Sequence, residues 1–162
     1  MQNQLSSSPV STPQELEAMR CIFNFCIPFM TKPFSPITPE QQGKWWSELQ
    51  KTHYKAFVYR DSTGKIVAYS LLQWHKDKST SPLFGIAEGE QGHNYAREII
   101  QHYLSEAGGP VAGEELSSHT AMIKLNQEAG YLFIKEENGV RYLYNPNGKY
   151  LPPYYLELMD AE

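Results

Sequence analysis

Long apolar runs are missing from this chain of 162 residues. Nothing in it approaches the ~18 consecutive apolar residues of a membrane-crossing helix. Its start, MQNQLSSSPVSTPQ, has neither the basic stretch nor the apolar stretch of a secretory leader. Basic excess is missing too. The 14 Lys and Arg stand against 18 Asp and Glu, for a net charge of −4, so nucleic acid is a poor partner. Cysteine is scarce. Cys21 and Cys26 are five positions apart, which on a helix turns them about 140° from one another, too far to bridge. Two buried, reduced thiols are expected, and with them a cytoplasmic setting. No Cys or His pair has metal-ligand spacing, so no metal site is expected. No internal repeat is visible.

What the chain does have suits one compact core. Hydrophobic residues make up 41%, too many for a disordered chain. A single domain over 1–162 is expected, with residues 1–12 a loose arm or weak first strand. The tail 145–162, rich in Tyr, Leu and Pro, is expected to pack on the domain or on a second subunit, which makes a homodimer an expectation as well. From Pro13 to Cys26, Leu16, Met19, Ile22, Phe23 and Cys26 fall at helical spacing, with Thr12 as N-cap and Pro13 at the first position. The following CIPFMTKPFSPITP holds four prolines and is a loop, either a packed lid or part of a pocket. Thr38-Pro39 opens a second helix with Gln41 completing a capping box; Trp45, Trp46 and Leu49 form its apolar face.

A hairpin follows: strand 56–59, turn 61–64, strand 66–74. Ser81 to Ala87 reads as a third strand. Tyr95 to Leu104 is an amphipathic helix ended by Gly108-Gly109. Pro110 to Leu116 reads as a strand despite its Gly and Glu. Ser118 caps a helix that ends at Gly130, and 131–134 with 140–144 form a hairpin about Asn138-Gly139. His53 and His102 are read as helix-end and helix-surface residues.

The chemistry is concentrated in Ile86-Ala87-Glu88-Gly89-Glu90-Gln91-Gly92-His93-Asn94-Tyr95-Ala96. A strand ends here in a turn that feeds a helix N-terminus. Several backbone N–H groups then point one way, and the helix dipole adds positive potential, which together make a cradle for phosphate without basic side chains. No Gly-Lys-Ser/Thr follows and no G-x-G-x-x-G is present, so this is neither a Walker loop nor a dinucleotide fingerprint.

The stretch 86–96 resembles the acyl-CoA motif of the GNAT superfamily of N-acetyltransferases, an apolar strand residue, four spacers, then Q/R-x-x-G-x-G/A. Ile86, Gln91, Asn94 and Ala96 take those places. Asn94 replaces a Gly, a change that the left-handed tolerance of Asn accommodates. A later segment, His119 to Tyr131, is similar to the family's N-x-x-A-x-x-l-Y-x-k-x-G-F. Gly130-Tyr131 matches G-F, His119 stands at the Asn and Asn126 at the Tyr.

The resemblance implies an α/β (α+β) fold, a mixed, mostly antiparallel twisted sheet of about 6–7 strands with about 4 flanking helices, whose fourth and fifth strands splay. It implies acetyl-CoA as co-substrate. The backbone N–H groups of Gln91, Gly92, His93, Asn94, Tyr95 and Ala96 would hold its diphosphate, the backbone from Phe84 to Ile86 would bond the pantetheine, and His119 would touch the same arm. A main-chain N–H near Phe84 would polarise the thioester, a donor of a kind worth ~2.7–4 kcal/mol. The family's usual acid position is filled by Asn126, which offers a hydrogen bond and no acidic proton. His75, Glu114 and Glu115 are the base candidates. Phe29, Met30, Phe34, Trp45, Trp46 and Trp74 would wall the acceptor pocket. The function implied is transfer of an acyl group from CoA to a primary amine of a small molecule, an amino sugar among the options. A protein or peptide N-acetyltransferase and a non-catalytic acyl-CoA-binding module remain open beside it.

Overall fold

The computed structural model describes residues 4–49, 54–75 and 79–147. The tail beyond Asn147, with its expected packing, and His53 lie outside them. Seven strands form one sheet in the order β1-β2-β3-β4-β5-β7-β6. They are β1 (Ser6–Pro9), β2 (Tyr54–Arg60), β3 (Ile66–Trp74), β4 (Thr80–Ile86), β5 (Val111–Leu116), β6 (Leu132–Glu137) and β7 (Val140–Asn145). The helices are α1 (Pro13–Cys26), α2 (Pro39–Leu49), α3 (Tyr95–Ala107) and α4 (Thr120–Glu128), with a 3₁₀ turn at Ile27–Phe29. β4 and β5 pair in parallel and the other neighbours are antiparallel. Of the two readings of residues 1–12, the first strand holds: β1 is an edge strand, with Ser6 opposite Arg60 and Pro9 opposite Phe57.

Strands β2 and β3 are buried on both faces, so they read as continuous apolar runs rather than alternating ones. Ala56 and Val58 join Met19 and Ile22 in the core beneath α1. Phe57 and Tyr59 join Ile99, Ile100 and Tyr103 in the larger core beneath α3. Val58, Leu72 and Ile99 are fully enclosed, and each such side chain contributes about 1.5–3 kcal/mol of burial. His102 belongs to this core rather than to the helix surface. Its Nδ1 is 2.7 Å from the Tyr59 hydroxyl and its Nε2 3.2 Å from Ser7 Oγ, and burial lowers its pKa.

Helix starts follow local chemistry. Thr12 and Glu15 form a capping box at α1. The Glu15 carboxylate also accepts from Ser11 N at 2.9 Å and from Arg60 Nη2 at 3.0 Å. The Ser11 N–H above all, with Arg60 and Thr12, holds its pKa down to about 2 against the cost of burial. Thr38 and Gln41 cap α2 reciprocally, at 2.8 and 3.1 Å. At α4 the N-cap is His119 rather than Ser118, and no side chain caps it. The last hairpin turns on Asn138 and Gly139, both at positive φ, as a tight Asn-Gly turn requires. Cys21 is exposed and Cys26 half-buried, so the expectation of two buried thiols fails at Cys21, on the outer side of α1.

Candidate active site

Strand β4 makes seven registered pairs with β3, from Ala68↔Ile86 to Trp74↔Thr80. With β5 it makes one, Thr80↔Val111, reinforced by Thr80 N donating to Pro110 O at 2.9 Å. Past that point the two strands part. Between them opens a cleft of about 1240 Å³, lined by Leu83, Phe84, Gly85 and Ile86 on one side and by Ala112 to Leu116 on the other. The cleft passes through the sheet. Cys26, Phe29 and Trp45 line it on the α1 side, and Tyr103, His119, Met122 and Asn126 on the side of α3 and α4.

The β4 end of the cleft leads into the turn singled out above. Glu90 N donates to Ala87 O at 3.0 Å, and Gln91 Nε2 donates to the carbonyls of Ala87 (3.0 Å) and Ile86 (3.3 Å). The Gln91 side chain thus folds the turn back on β4. Gly92 has φ 88° and Asn94 φ 62°, so Asn94 does adopt the left-handed conformation that a Gly would. Helix α3 starts there without a side-chain cap, and Gln91 to Asn94 are exposed. A helix start of that kind leaves first-turn N–H groups without intrahelical acceptors, which suits an anion. The His93 ring stacks on Tyr95 with centroids 5.1 Å apart. Tyr95 is buried beneath the start of α3 and Ala96 follows it.

Of the side chains proposed for acid–base chemistry, Glu115 and Asn126 meet, while Glu114 and His75 lie apart from them. Glu115 is 3% exposed. Asn126 Nδ2 donates to its Oε1 at 2.7 Å and Arg141 Nε to its Oε2 at 2.9 Å. Glu115 faces Arg141 directly across the β5–β7 ladder, so its charge is neutralised inside the wall of the cleft and both its oxygens are engaged. Asn126 is buried with its amide committed to that network. Glu114, one residue earlier on the opposite face, is exposed in the cleft, and the Thr31 hydroxyl donates to it at 2.8 Å. His75 is exposed at the end of β3, its Nε2 2.6 Å from Ser81 Oγ; Ser81 lines the cleft and His75 does not.

The α1 side of the cleft is aromatic. Phe29, 62% exposed, Met30, Phe34 and Trp45 line it, joined by Tyr54, Gln73 and Tyr142. The proline-rich loop is anchored as a cover. Asn24 exchanges two hydrogen bonds with Ile37 at 2.9 and 3.0 Å, Arg20 donates to the same carbonyl at 3.1 Å, and Phe34 meets Phe23 edge-on at 5.4 Å. Trp74 is a correction. It falls on the other face of β3, packs in the α3 core and donates its indole N–H to Ala107 O at 3.3 Å. Strand alternation puts Leu71 and Gln73 into the cleft and Leu72 and Trp74 away from it. Trp46 packs with the α1 core rather than lining the cleft.

Several residues that build the site carry no signal in the sequence. Arg141 carries no motif, and only the β5–β7 register reveals it as the counter-ion of Glu115. Tyr54, Gln73 and Tyr142 look like ordinary strand residues until three strands converge. Gly85 and Gly113 carry the available signal. A Cβ on Gly85 would lie 2.8 Å from Tyr69 Cε1, and one on Gly113 2.9 Å from Tyr131 Cε1, so each glycine makes room for a ring from a neighbouring element.

No protein-family model matches the sequence, and no curated protein matches it. Solved structures do match along nearly the whole chain. A spermidine N-acetyltransferase from Vibrio cholerae, in complex with CoA and spermine, superposes with a TM-score of 0.76 at 17% identity over 94% of this chain and 98% of that one. A GNAT superfamily phosphinothricin acetyltransferase from Sinorhizobium meliloti, in complex with AcCoA, gives 0.75 at 10% identity over 89% of each. A dodecameric structure of the Vibrio cholerae spermidine enzyme gives 0.73 at 18% identity over 91% and 96%. The likeness is one of fold: the chain has the architecture of the GNAT-superfamily acetyltransferases.

Proposed function

From that shared architecture, we propose that the protein is an acetyl-CoA-dependent N-acetyltransferase acting on a primary amine of a small molecule. The observation that carries this reading is the parting of β4 from β5. Apart from Thr80 at its start, the inner edge of β4 has no registered partner, and an unpaired strand edge is a template for an extended chain. A pantetheine arm fits that edge from Phe84 to Ile86, and a diphosphate fits the N–H groups between Gln91 and Ala96. His119, on the opposite wall, would border the same arm.

Acetyl-CoA would supply the activated acyl group there. The residues around it would bind and orient both reactants and keep water from the acyl carbon. The acceptor would enter from the α1 side, where the anchored loop narrows the mouth and aromatic rings would hold its apolar body. Glu114 would bind the ammonium group and take up its proton, because it is the carboxylate on the cleft surface while Glu115 is spent on Arg141. This favours a compact amine with one cationic head and an apolar or aromatic body over one with several charges. An amino sugar stays within that class where its ring stacks on Trp45 or Phe29.

A thermal-shift titration with acetyl-CoA, followed by assay of CoA release over an amine panel, tests the reading. Ligand at about 100 times Kd should stabilise the fold by about 2.7 kcal/mol. CoA release with a monoamine is expected, and Glu114→Gln should lower kcat/KM for that amine at least about tenfold, equivalent to about 1.4 kcal/mol, through both KM and kcat. Stabilisation with no release over the panel would assign an acyl-CoA-binding module. No stabilisation would remove the reading.

A further inference from the structure

Charge is unevenly spent around the α1 side of the cleft. Arg20, Lys32, Glu114 and Glu115 are among the lining residues. Glu115 is held by Arg141 and Asn126. Arg20 is held by Glu17 and by Ile37 O. The other two keep free capacity. The Glu114 carboxylate accepts the Thr31 hydroxyl and no further hydrogen bond among the described residues. Lys32 makes no ion pair among them. Both side chains are exposed. The Thr31–Glu114 bond of 2.8 Å ties the covering loop to β5, and Lys32 is the next residue of that loop. A free carboxylate and a free ammonium thus border one opening without being paired to each other.

A second lysine stands on the same face of the sheet. Glu114 is opposite Tyr142 of β7, and Tyr142 is opposite Lys135 of β6. Directly opposed residues share a face, and Lys135 Nζ lies 5.2 Å from the Tyr142 ring centroid. The row across the strands is carboxylate, aromatic ring, ammonium. Lys135 also meets Glu137 at 3.6 Å, so it adds positive potential more than a free binding group. An amine with several positive charges is a poor guest here. Its first ammonium finds Glu114, and each further one meets a like charge.

We propose that Lys32 determines acceptor specificity by binding an anionic group, carboxylate or phosphate, on the same small molecule whose amine is held at Glu114. The proposal rests on the acetyltransferase reading above. It narrows the one-headed amine of that reading to one whose net charge is zero or negative. The body between the two charges lies on Tyr142 and on the exposed ring of Phe29, and polyamines are turned away.

Matched pairs of acceptors test this in the full chain with acetyl-CoA. Phenethylamine is set against phenylalanine, which adds a carboxylate, and glucosamine against its phosphate ester; spermidine is run beside them. The quantity read is the ratio of kcat/KM between the anionic member and its partner. In wild type the ratio should exceed about tenfold in one pair, and that pair identifies the anionic group as carboxylate or phosphate. Lys32→Gln should bring the ratio to within about threefold of unity, and Lys32→Glu should invert it and favour spermidine. Acetyl-CoA Kd by calorimetry and Tm should keep their wild-type values in both variants. Ratios near unity in wild type, ratios that neither variant alters, or spermidine as the best acceptor overturn this proposal alone. A loss of acetyl-CoA affinity and of several degrees of Tm in both variants also overturns it, since the lysine then supports the fold. A wild type that binds acetyl-CoA and acetylates no amine overturns the reading of the site, and this proposal with it.

Discussion

One strand has two edges with opposite fates. On its β3 edge, β4 is paired from Thr80 to Ile86 without a break. On its β5 edge it is paired at Thr80 and then left open. The closed edge sits between two apolar layers, the α1 core and the α3 core, and its backbone groups are spent on the ladder. The open edge carries the backbone groups of the alternate residues of the same strand, and those left unpaired by β5 are available to a ligand. A binding edge in this fold is therefore a matter of what stands beside the strand rather than of what the strand is made of.

Three perturbations sharpen that comparison, from the largest expected effect to the smallest. Gly92→Glu acts at the end of the open edge. A side chain at φ 88° is strained, and its carboxylate would stand where a diphosphate is to bind, while a Cβ there meets nothing within 4 Å. Acetyl-CoA affinity by calorimetry should fall at least about a hundredfold with the fold retained; an unchanged affinity would put the anion cradle elsewhere.

Arg141→Met acts behind the far wall of the cleft, on β7, where it strands the buried carboxylate of Glu115. Full burial of such a pair makes the loss about 3–5 kcal/mol. Because the Arg141 side chain is 21% exposed, a loss of about 2–3 kcal/mol in urea unfolding is expected, and one below about 1 kcal/mol would show that Glu115 does not depend on that charge.

The smallest effect belongs to the closed side. Glu15 titrates at about 2 in the fold against 4.5 ordinarily, so its stabilisation is complete above pH 4.5 and is lost as the pH falls toward 2. Stability measured across that window should lose part of its slope in Glu15→Gln; an unchanged slope would assign the acid sensitivity to other carboxylates.

The elements were legible where local chemistry dictates them. Thr12 with Glu15 and Thr38 with Gln41 start helices because side-chain oxygens satisfy orphan N–H groups over a few residues. Asn138-Gly139 turns because both residues tolerate positive φ. The left-handed backbone of Asn94 is readable for the same reason. The misreadings have a common cause. Trp74 and His75 were placed by their position in the chain, yet a strand residue's face depends on register, and one step turns a cleft residue into a core residue. His102 looks like a helix-surface residue within its own helix, and only the neighbouring strands, with Tyr59 and Ser7, enclose its ring. Glu115 was singled out as an unexpected strand carboxylate, but its meaning depends on Arg141, 26 residues away in the chain.

The sequence by itself determined the helices, the capping and the turns, the left-handed one before α3 among them, all of which arise from interactions a few residues long. Only the tertiary structure decided where β4 stops pairing with β5, which carboxylate stays on the surface of the cleft, and that Gly85 makes room for the ring of Tyr69. Those outcomes depend on which strands and helices stand side by side, and no short stretch of chain carries the free energy that selects among the alternatives.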